Sequence, residues 1–433
     1  MTLGSRSVVS ATTNPVTGGI RISAPTGFSK IVAVLGDSIV ANNNSNVSEN
    51  SSQGFWSWAN LLMGKRFSYS PSMNFGVSGN KTSDVLLRMQ PVLTSGADIC
   101  IVLIGTNDIG GGSTASIAYA NLLSIWTQLR SAGMLVVACT IMPRSDVAMT
   151  ASRIKELMQL NALIRLNVPK YSNMILWDTY SDLADPASLT AAPVTSYFLD
   201  LLHPNKLGAF WAGKSLAKVI NAAIPGPVVS EYQCVTGSDL YDATSTPNGN
   251  KLTNAMLSGT GGTNSGAYAT GSVATGWTVN RELGATITCV SSKGTVTLDN
   301  GQTYATQILT VSSPGAGVDK ETIEFYQTGT GATGDFVLLG ADIAVSAVSG
   351  RLNYVTPRVQ AFYGAFPVLG YDVWKFEGGA NSIPAFSGHT CSVPGVAVPS
   401  PGGNIRASFL VNLDCTVASS VQVVIALPYL RKT

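Results

Sequence analysis

Ser38 stands in Val34-Leu35-Gly36-Asp37-Ser38-Ile39, directly behind a short apolar run. A serine hydroxyl is a poor nucleophile at neutral pH and needs a base within hydrogen-bond reach, with a third group to orient that base. The chain has two histidines, and since His389 lies far off in the second half, His203 is the candidate base. Asp200 precedes it by three residues, near enough across a short turn for its carboxylate to hold the ring nitrogen that faces away from Ser38. Its charge would also stabilise the imidazolium formed when the hydroxyl gives up its proton. Pro204 stiffens the loop just behind. The chemistry open to such a set is nucleophilic attack on an ester through a covalent acyl intermediate. Taken singly, each residue also has a plain structural reading: Gly36-Asp37-Ser38 as a turn, Asp200 as a turn cap, His203 as a surface histidine.

Two further motifs lie between, Asn74-Phe75-Gly76-Val77-Ser78-Gly79 and Gly105-Thr106-Asn107-Asp108, ahead of Asp200-Leu201-Leu202-His203-Pro204-Asn205. In this order the four motifs closely resemble the SGNH (GDSL-type) hydrolase family of esterases, lipases and carbohydrate deacetylases, over about residues 28 to 224. The resemblance implies an oxyanion hole made of the backbone N–H of Ser38, the backbone N–H of Gly79 and the side-chain amide of Asn107. Residue chemistry agrees, because glycine lets backbone approach a ligand and asparagine is an uncharged donor. By themselves Gly79 reads equally as a left-handed turn glycine and Asn107 as a strand-end turn residue. Asp37 and Asp108 are assigned to loop hydrogen bonding, and Arg144 and Asn205 to orienting loops or substrate, with structure favoured. One position departs from the family pattern: the residue after Asp200 is often glycine there and is Leu201 here, which makes the rim bulkier and bears on substrate shape.

These residues need a scaffold that brings them to one edge. From about Lys30 to Pro225, β-branched runs alternate with helical ones, the signature of a parallel sheet wrapped by helices. Strands are predicted at Ile31–Leu35, Ser72–Val77, Ile99–Ile104, Met134–Ile141 and Met174–Trp177, and helices at Phe55–Lys65, Ser83–Leu93, Thr114–Ser131, Ala151–Leu166 and Lys206–Ile224. In Thr114–Ser131 the residues Ile117, Leu122, Ile125, Trp126 and Leu129 are expected to share a face. The fold class is α/β, a three-layer flavodoxin-like domain whose strand ends collect all four motifs on one rim.

After Ile224 the pattern changes. Pro225-Gly226-Pro227 opens a polar stretch to about Lys251, followed by short alternating runs split by Gly, Ser, Thr and Pro. These predict an antiparallel β-sandwich, jelly-roll-like, with strands near residues 286–289, 308–311, 322–326, 336–345, 354–362, 408–411 and 421–427. The domains expected are an extended arm over 1–29, the hydrolase domain over 30–224, a linker over 225–251 and the sandwich over 252–433. Trp277, Trp374, Tyr304, Tyr354, Tyr363 and Tyr371 could stack on sugars, though core or interface roles are favoured. His389 and Cys391 are a faint metal signal without a matching ligand pair, and neither cofactor nor metal is expected.

Composition narrows the class. Charged residues are 12% of 433 against roughly a quarter in average soluble proteins, a polar, weakly charged make-up common in β-rich extracellular and virion proteins. A net charge of +2 gives no electrostatic case for nucleic acid or an anionic membrane. No run approaches the ~18 apolar residues of a membrane span, and Met1–Ser29 does not read as a secretory signal peptide. Cys100 and Cys139 sit in apolar strands as small buried hydrophobes, whereas Cys234/Cys289 and Cys391/Cys415 are left open as pairs. Asn46, Asn50 and Asn80 begin glycosylation sequons, and a glycan on Asn80 would stand beside the oxyanion hole. The expectation is an extracellular or virion-associated serine esterase that removes O-acetyl groups from a polysaccharide or acts on a small ester. The alternatives are a lipase or lysophospholipase-type esterase, and a glycan-binding virion or cell-surface protein with a vestigial hydrolase fold. A weak architectural likeness to phage tail-spike and tail-fibre proteins adds a homo-oligomer, a trimer in that case, as a candidate assembly.

Overall fold

The computed structural model describes residues 30–46, 49–63, 67–188, 190, 192–224, 240, 244, 249–297, 302–363, 366–371, 374–375, 382–391, 396–399 and 403–432. The expected arm over 1–29 and most of the linker over 225–251 lie outside the described residues. The described residues divide into two compact units, 30–60 with 67–224, and 61–63 with the described residues from 240 onward.

The first unit is built on five parallel strands: β1 (Val32–Gly36), β2 (Asn74–Gly76), β3 (Ile99–Leu103), β4 (Leu135–Cys139) and β5 (Met174–Trp177), in the order β2-β1-β3-β4-β5. Residues of β1 and β3 are buried throughout, as expected of unbroken apolar runs covered on both faces. The helices are α1 (Ser38–Ala41), α2 (Phe55–Leu62), α3 (Thr82–Leu86), α4 (Met89–Leu93), α5 (Thr106–Gly110), α6 (Ala115–Ser131), α7 (Ala151–Asn167), α8 (Thr179–Leu183) and α9 (Lys206–Ala223). This is the flavodoxin-like order, in which consecutive connections leave the sheet in opposite directions from β1, opening a crevice at the carboxyl ends of β1, β2 and β3.

Three local expectations are corrected. The single helix over Ser83–Leu93 is two, because Pro91 has no N–H to give and its ring clashes one turn back, so α4 starts anew with Pro91 in its first turn. Arg88 falls in the break. The strand predicted from Ser72 begins only at Asn74, since Pro71 starts a 3₁₀ turn over Pro71–Met73. In α6 the buried stripe is Ala115, Ala118, Leu122, Ile125, Trp126 and Leu129, while Ile117 is 57% exposed. Ile117 is five residues from Leu122, about 140° around a helix of 3.6 residues per turn, so the two cannot share a face.

In the second unit the described residues form two sheets, mostly antiparallel and consistent with a β-sandwich. One orders Phe366–Tyr371, Leu352–Tyr363, Gly403–Leu413, Glu321–Gly331, Val273–Leu283 and Gly261–Asn264. The other orders Phe386–Cys391, Phe336–Ser349, Ala418–Lys432, Thr303–Pro314, Thr288–Thr297 and Ala269–Gly271. The strands outrun the short apolar runs that predict them: Val421–Leu427 lies within Ala418–Lys432, and no such run announces Val273–Leu283. Trp277 stacks on Phe325 with centroids 4.4 Å apart and is fully buried, and Tyr304 is 5% exposed, so neither is placed to meet a sugar. The side chains of Tyr363, Tyr371, Trp374, His389 and Cys391 lie outside the described residues, as does Cys234. Cys100, Cys139, Cys289 and Cys415 are buried free thiols.

The facing of α6 has a direct check. Leu122→Ala is expected to destabilise the first unit by about 2–5 kcal/mol, and Ile117→Ala to stay within about 0.5 kcal/mol, in thermal or urea unfolding. Equal losses would refute the assigned face.

Candidate active site

Ser38 opens α1 directly after β1, and the Asp37 side chain caps that helix by accepting from Ile39 N–H at 3.0 Å. The sharp strand-to-helix turn depends on Gly36, where an added Cβ would lie 2.0 Å from the Leu103 carbonyl oxygen. Ser38 Oγ is 2.8 Å from His203 Nε2, and His203 Nδ1 is 2.7 Å from Asp200 Oδ2. A carboxylate only accepts, so Nδ1 carries the ring proton and Nε2 is left to accept from the serine hydroxyl. Asp200 Oδ1 additionally accepts from His203 N–H at 2.7 Å and Leu202 N–H at 3.1 Å. Partial burial pushes the Asp200 carboxyl up, but the bonds from His203's backbone and ring and from Leu202's amide outweigh it and hold it below the usual carboxylate range.

The loop carrying this pair is closed on itself. Leu199 N–H donates to the His203 carbonyl, and Asn205 caps α9 by accepting from Leu207 and Gly208 N–H while its amide donates to Ser196 O. Asn205 thus serves loop and helix. Leu201 holds φ at +64°, the left-handed region that costs a leucine roughly 1 kcal/mol, in the place where the resemblance leads one to expect glycine. Its carbonyl accepts from Ser145 N–H at 3.1 Å.

Gly79 follows β2 with φ at +79° in an exposed turn, and Asn107 lies in the first turn of α5 after β3. One amide hydrogen of Asn107 goes to the Asn80 carbonyl at 3.0 Å, which fixes the plane of the group and leaves its second N–H to a ligand. Asp108 is buried and accepts from Thr82 N–H and hydroxyl at 2.8 and 2.6 Å, tying α5 to α3 in the loop role expected of it. Arg144, 3% exposed, donates to the Thr106 carbonyl and hydroxyl and pairs with both oxygens of Asp146. Its function is loop support beneath α5.

The sequence places Asn80 beside the oxyanion hole only as the start of a sequon, and nothing in it singles out Arg88 as part of this edge. Arg88 donates to Asn80 Oδ1, the Phe75 carbonyl and the Gly36 carbonyl at 2.7, 2.9 and 3.0 Å. For Arg88 the hint is a proline-broken helical run with an arginine at the break. The Asn80 side chain is therefore engaged at its oxygen, whereas those of the sequon residues Asn46 and Asn50 lie outside the described ones. Among the described residues no group of three His, Cys, Asp or Glu side chains is placed to hold a metal ion.

Asp37 gives a pH test. Burial, opposed by its bond from Ile39 and by the charges of His203 and Arg144, raises its carboxyl from 3.8 to about 7. Below about pH 4 both folded and unfolded chains hold the proton; as pH rises towards 7 only the unfolded chain releases it, and stability falls, by roughly 4 kcal/mol in all. Asp37→Asn should remove this slope, so that variant and wild type diverge between pH 4 and 7 and run parallel above. A pH-independent difference in unfolding free energy would refute it.

Residues 34–209 match the family described as GDSL-like lipase/acylhydrolase. No curated protein matches the chain. Similar solved structures include a GDSL-like lipase from Bacteroides thetaiotaomicron, with 18% identity, 45% of this chain and 87% of that one covered, and a TM-score of 0.34. Others are a member of the lipolytic protein G-D-S-L family from Veillonella parvula (17% identity, 44% and 97% covered, TM-score 0.36) and an acetyl xylan esterase (18%, 44% and 98%, TM-score 0.35). The chain therefore carries, at residues 34–209, a domain of the GDSL-like lipase/acylhydrolase family.

Proposed function

We propose that the first unit is a serine esterase that removes O-acetyl groups from a polysaccharide. The observation that carries this reading is the hydrogen-bonded row Ser38–His203–Asp200, at 2.8 and 2.7 Å. In the mechanism it supports, His203 Nε2 takes the Ser38 proton as Oγ attacks the ester carbonyl, and Asp200 stabilises the resulting imidazolium. The carbonyl oxygen, now negative, is met by the N–H groups of Ser38 and Gly79 and by the free amide hydrogen of Asn107. Collapse expels the alcohol, which receives the proton from His203, and leaves acetyl on Ser38; water then attacks the acyl group with His203 as base, releasing acetate and restoring the hydroxyl.

A small acyl group on a polar polymer fits the surroundings of the row. Ser78 and Gly79 are exposed, and the Asp200 side chain is 55% exposed, which suits a water-borne substrate better than a long acyl chain. The lipase-type alternative has Val77 and Leu199 in its favour, both apolar, 43% and 56% exposed, and each within two residues of a proposed site residue. Extracellular or virion-associated placement, and a sandwich that holds the enzyme on glycan or in a homo-oligomeric assembly, complete the proposal.

Acetate release from a panel of acetylated polysaccharides is the direct assay, and Ser38→Ala should abolish it while leaving the melting temperature intact. Full activity in that variant would end the esterase reading. Asn107→Ala should lower kcat by roughly 10²–10³ with a smaller change in KM, because its donor matters chiefly once the oxyanion forms. Across p-nitrophenyl esters, rates are expected to fall steeply beyond about four carbons, whereas preference for long chains would favour the lipase reading.

A further inference from the structure

We infer that Arg88 is a positioning residue for the oxyanion hole, setting the relative placement of all three donors through one guanidinium. The inference rests on the esterase reading of this site. Each donor lies on a different segment, behind β1, β2 and β3, and parallel strands are joined only through long crossovers, so nothing covalent fixes the three to one another locally. Arg88 supplies the missing link. Its Nη2 holds the Gly36 carbonyl, two residues before Ser38; its Nη1 holds the Phe75 carbonyl, four residues before Gly79; its Nε holds Asn80 Oδ1, one residue beyond Gly79. Asn80 then passes the constraint to the third donor, because its own carbonyl accepts from Asn107 Nδ2 at 3.0 Å.

A guanidinium suits this task because its donors lie in one rigid plane, so fixing one bond fixes the directions of the others. Lysine would bring the charge without the fork. The proline-broken turn between α3 and α4 puts Arg88 where its side chain reaches the ends of β1 and β2, and Asp84 in α3 lends a nearby negative charge. Oxyanion stabilisation needs donors about 2.7–3.1 Å from a single point, and displacement of even one by a fraction of an ångström weakens the transition state more than the ground state.

The test uses the full chain with p-nitrophenyl acetate, measuring kcat, KM and melting temperature for Arg88→Ala, Arg88→Lys, Asn80→Ala and Arg88→Ala combined with Asn107→Ala. Arg88→Ala is expected to lower kcat about 10²-fold with KM within about threefold, and Arg88→Lys to stay close to it. Combined with Asn107→Ala, it should cost clearly less than it does alone, since one of the three donors it positions is already gone. Asn80→Ala removes only the Nε acceptor and should lower kcat about tenfold; it decides the matter if Arg88→Ala does not fold. A merely structural arginine would lower the melting temperature while leaving kcat near wild type, or combine multiplicatively with Asn107→Ala, and either result overturns the inference. Turnover that does not depend on Ser38 would overturn the esterase reading and this inference together, whereas Ser38-dependent turnover with unchanged kcat in both Arg88→Ala and Asn80→Ala overturns the inference alone.

Discussion

The contact between Ser38 Oγ and His203 Nε2 joins residues 165 apart in the chain at 2.8 Å, and the first unit is arranged around keeping it. A hydroxyl can lose its proton to an imidazole only if the acceptor nitrogen is unprotonated and correctly aimed. Asp200 secures both by accepting from Nδ1–H, which keeps the ring proton on that nitrogen, and by accepting from the loop N–H groups of Leu202 and His203. The strained Leu201, between Asp200 and Leu202, shows that the loop conformation is imposed by this grip and by the Ser145 bond rather than by local preference.

Opposite that row, the edge of the sheet is held by polar side chains that the core could not replace. Arg88, Arg144, Asp37 and Asp108 are each partly or fully withdrawn from water, and burial shifts Arg88, Asp37 and Asp108 towards their neutral forms. Each makes directional bonds to backbone: Arg88 to Gly36 and Phe75, Arg144 to Thr106, Asp37 to Ile39, Asp108 to Thr82. Apolar packing would hold the same strands together, but it is non-directional and cannot aim an N–H group. Removing one partner would leave a buried polar atom unpaired, so the network resists gradual loosening.

The second unit follows different physics. Its strands carry polar residues even where water is excluded, and Glu324, with no exposure, takes bonds from Arg358 and Ser408, both at 2.6 Å. Trp277, Phe325 and Phe409 supply the aromatic stack of its interior. Long strands rich in Thr, Ser and Gly gain little from each apolar contact and rely on extended ladders, such as the ten consecutive pairs that run from Thr288 with Ser312 to Thr297 with Thr303.

The sequence by itself determined the type and order of the elements that carry the row. Unbroken apolar runs such as Ile99–Leu103 and capped helices such as Ala151–Asn167 and Lys206–Ala223 record their burial in a local pattern, so their existence could be read directly. Ser38, Gly79, Asn107, Asp200 and His203 could be singled out because each sits in a short motif at a strand end or loop. Local pattern also misled where an apolar residue faced outward, as Ile117 does, or where a polar strand such as Val273–Leu283 lacked alternation strong enough to announce itself. Only the tertiary structure decided which residues brace the site. Arg88 meets Gly36 across 52 positions and Arg144 meets Thr106 across 38, and hydrogen bonds of that kind leave no periodic trace, because their geometry exists only once the strands lie side by side.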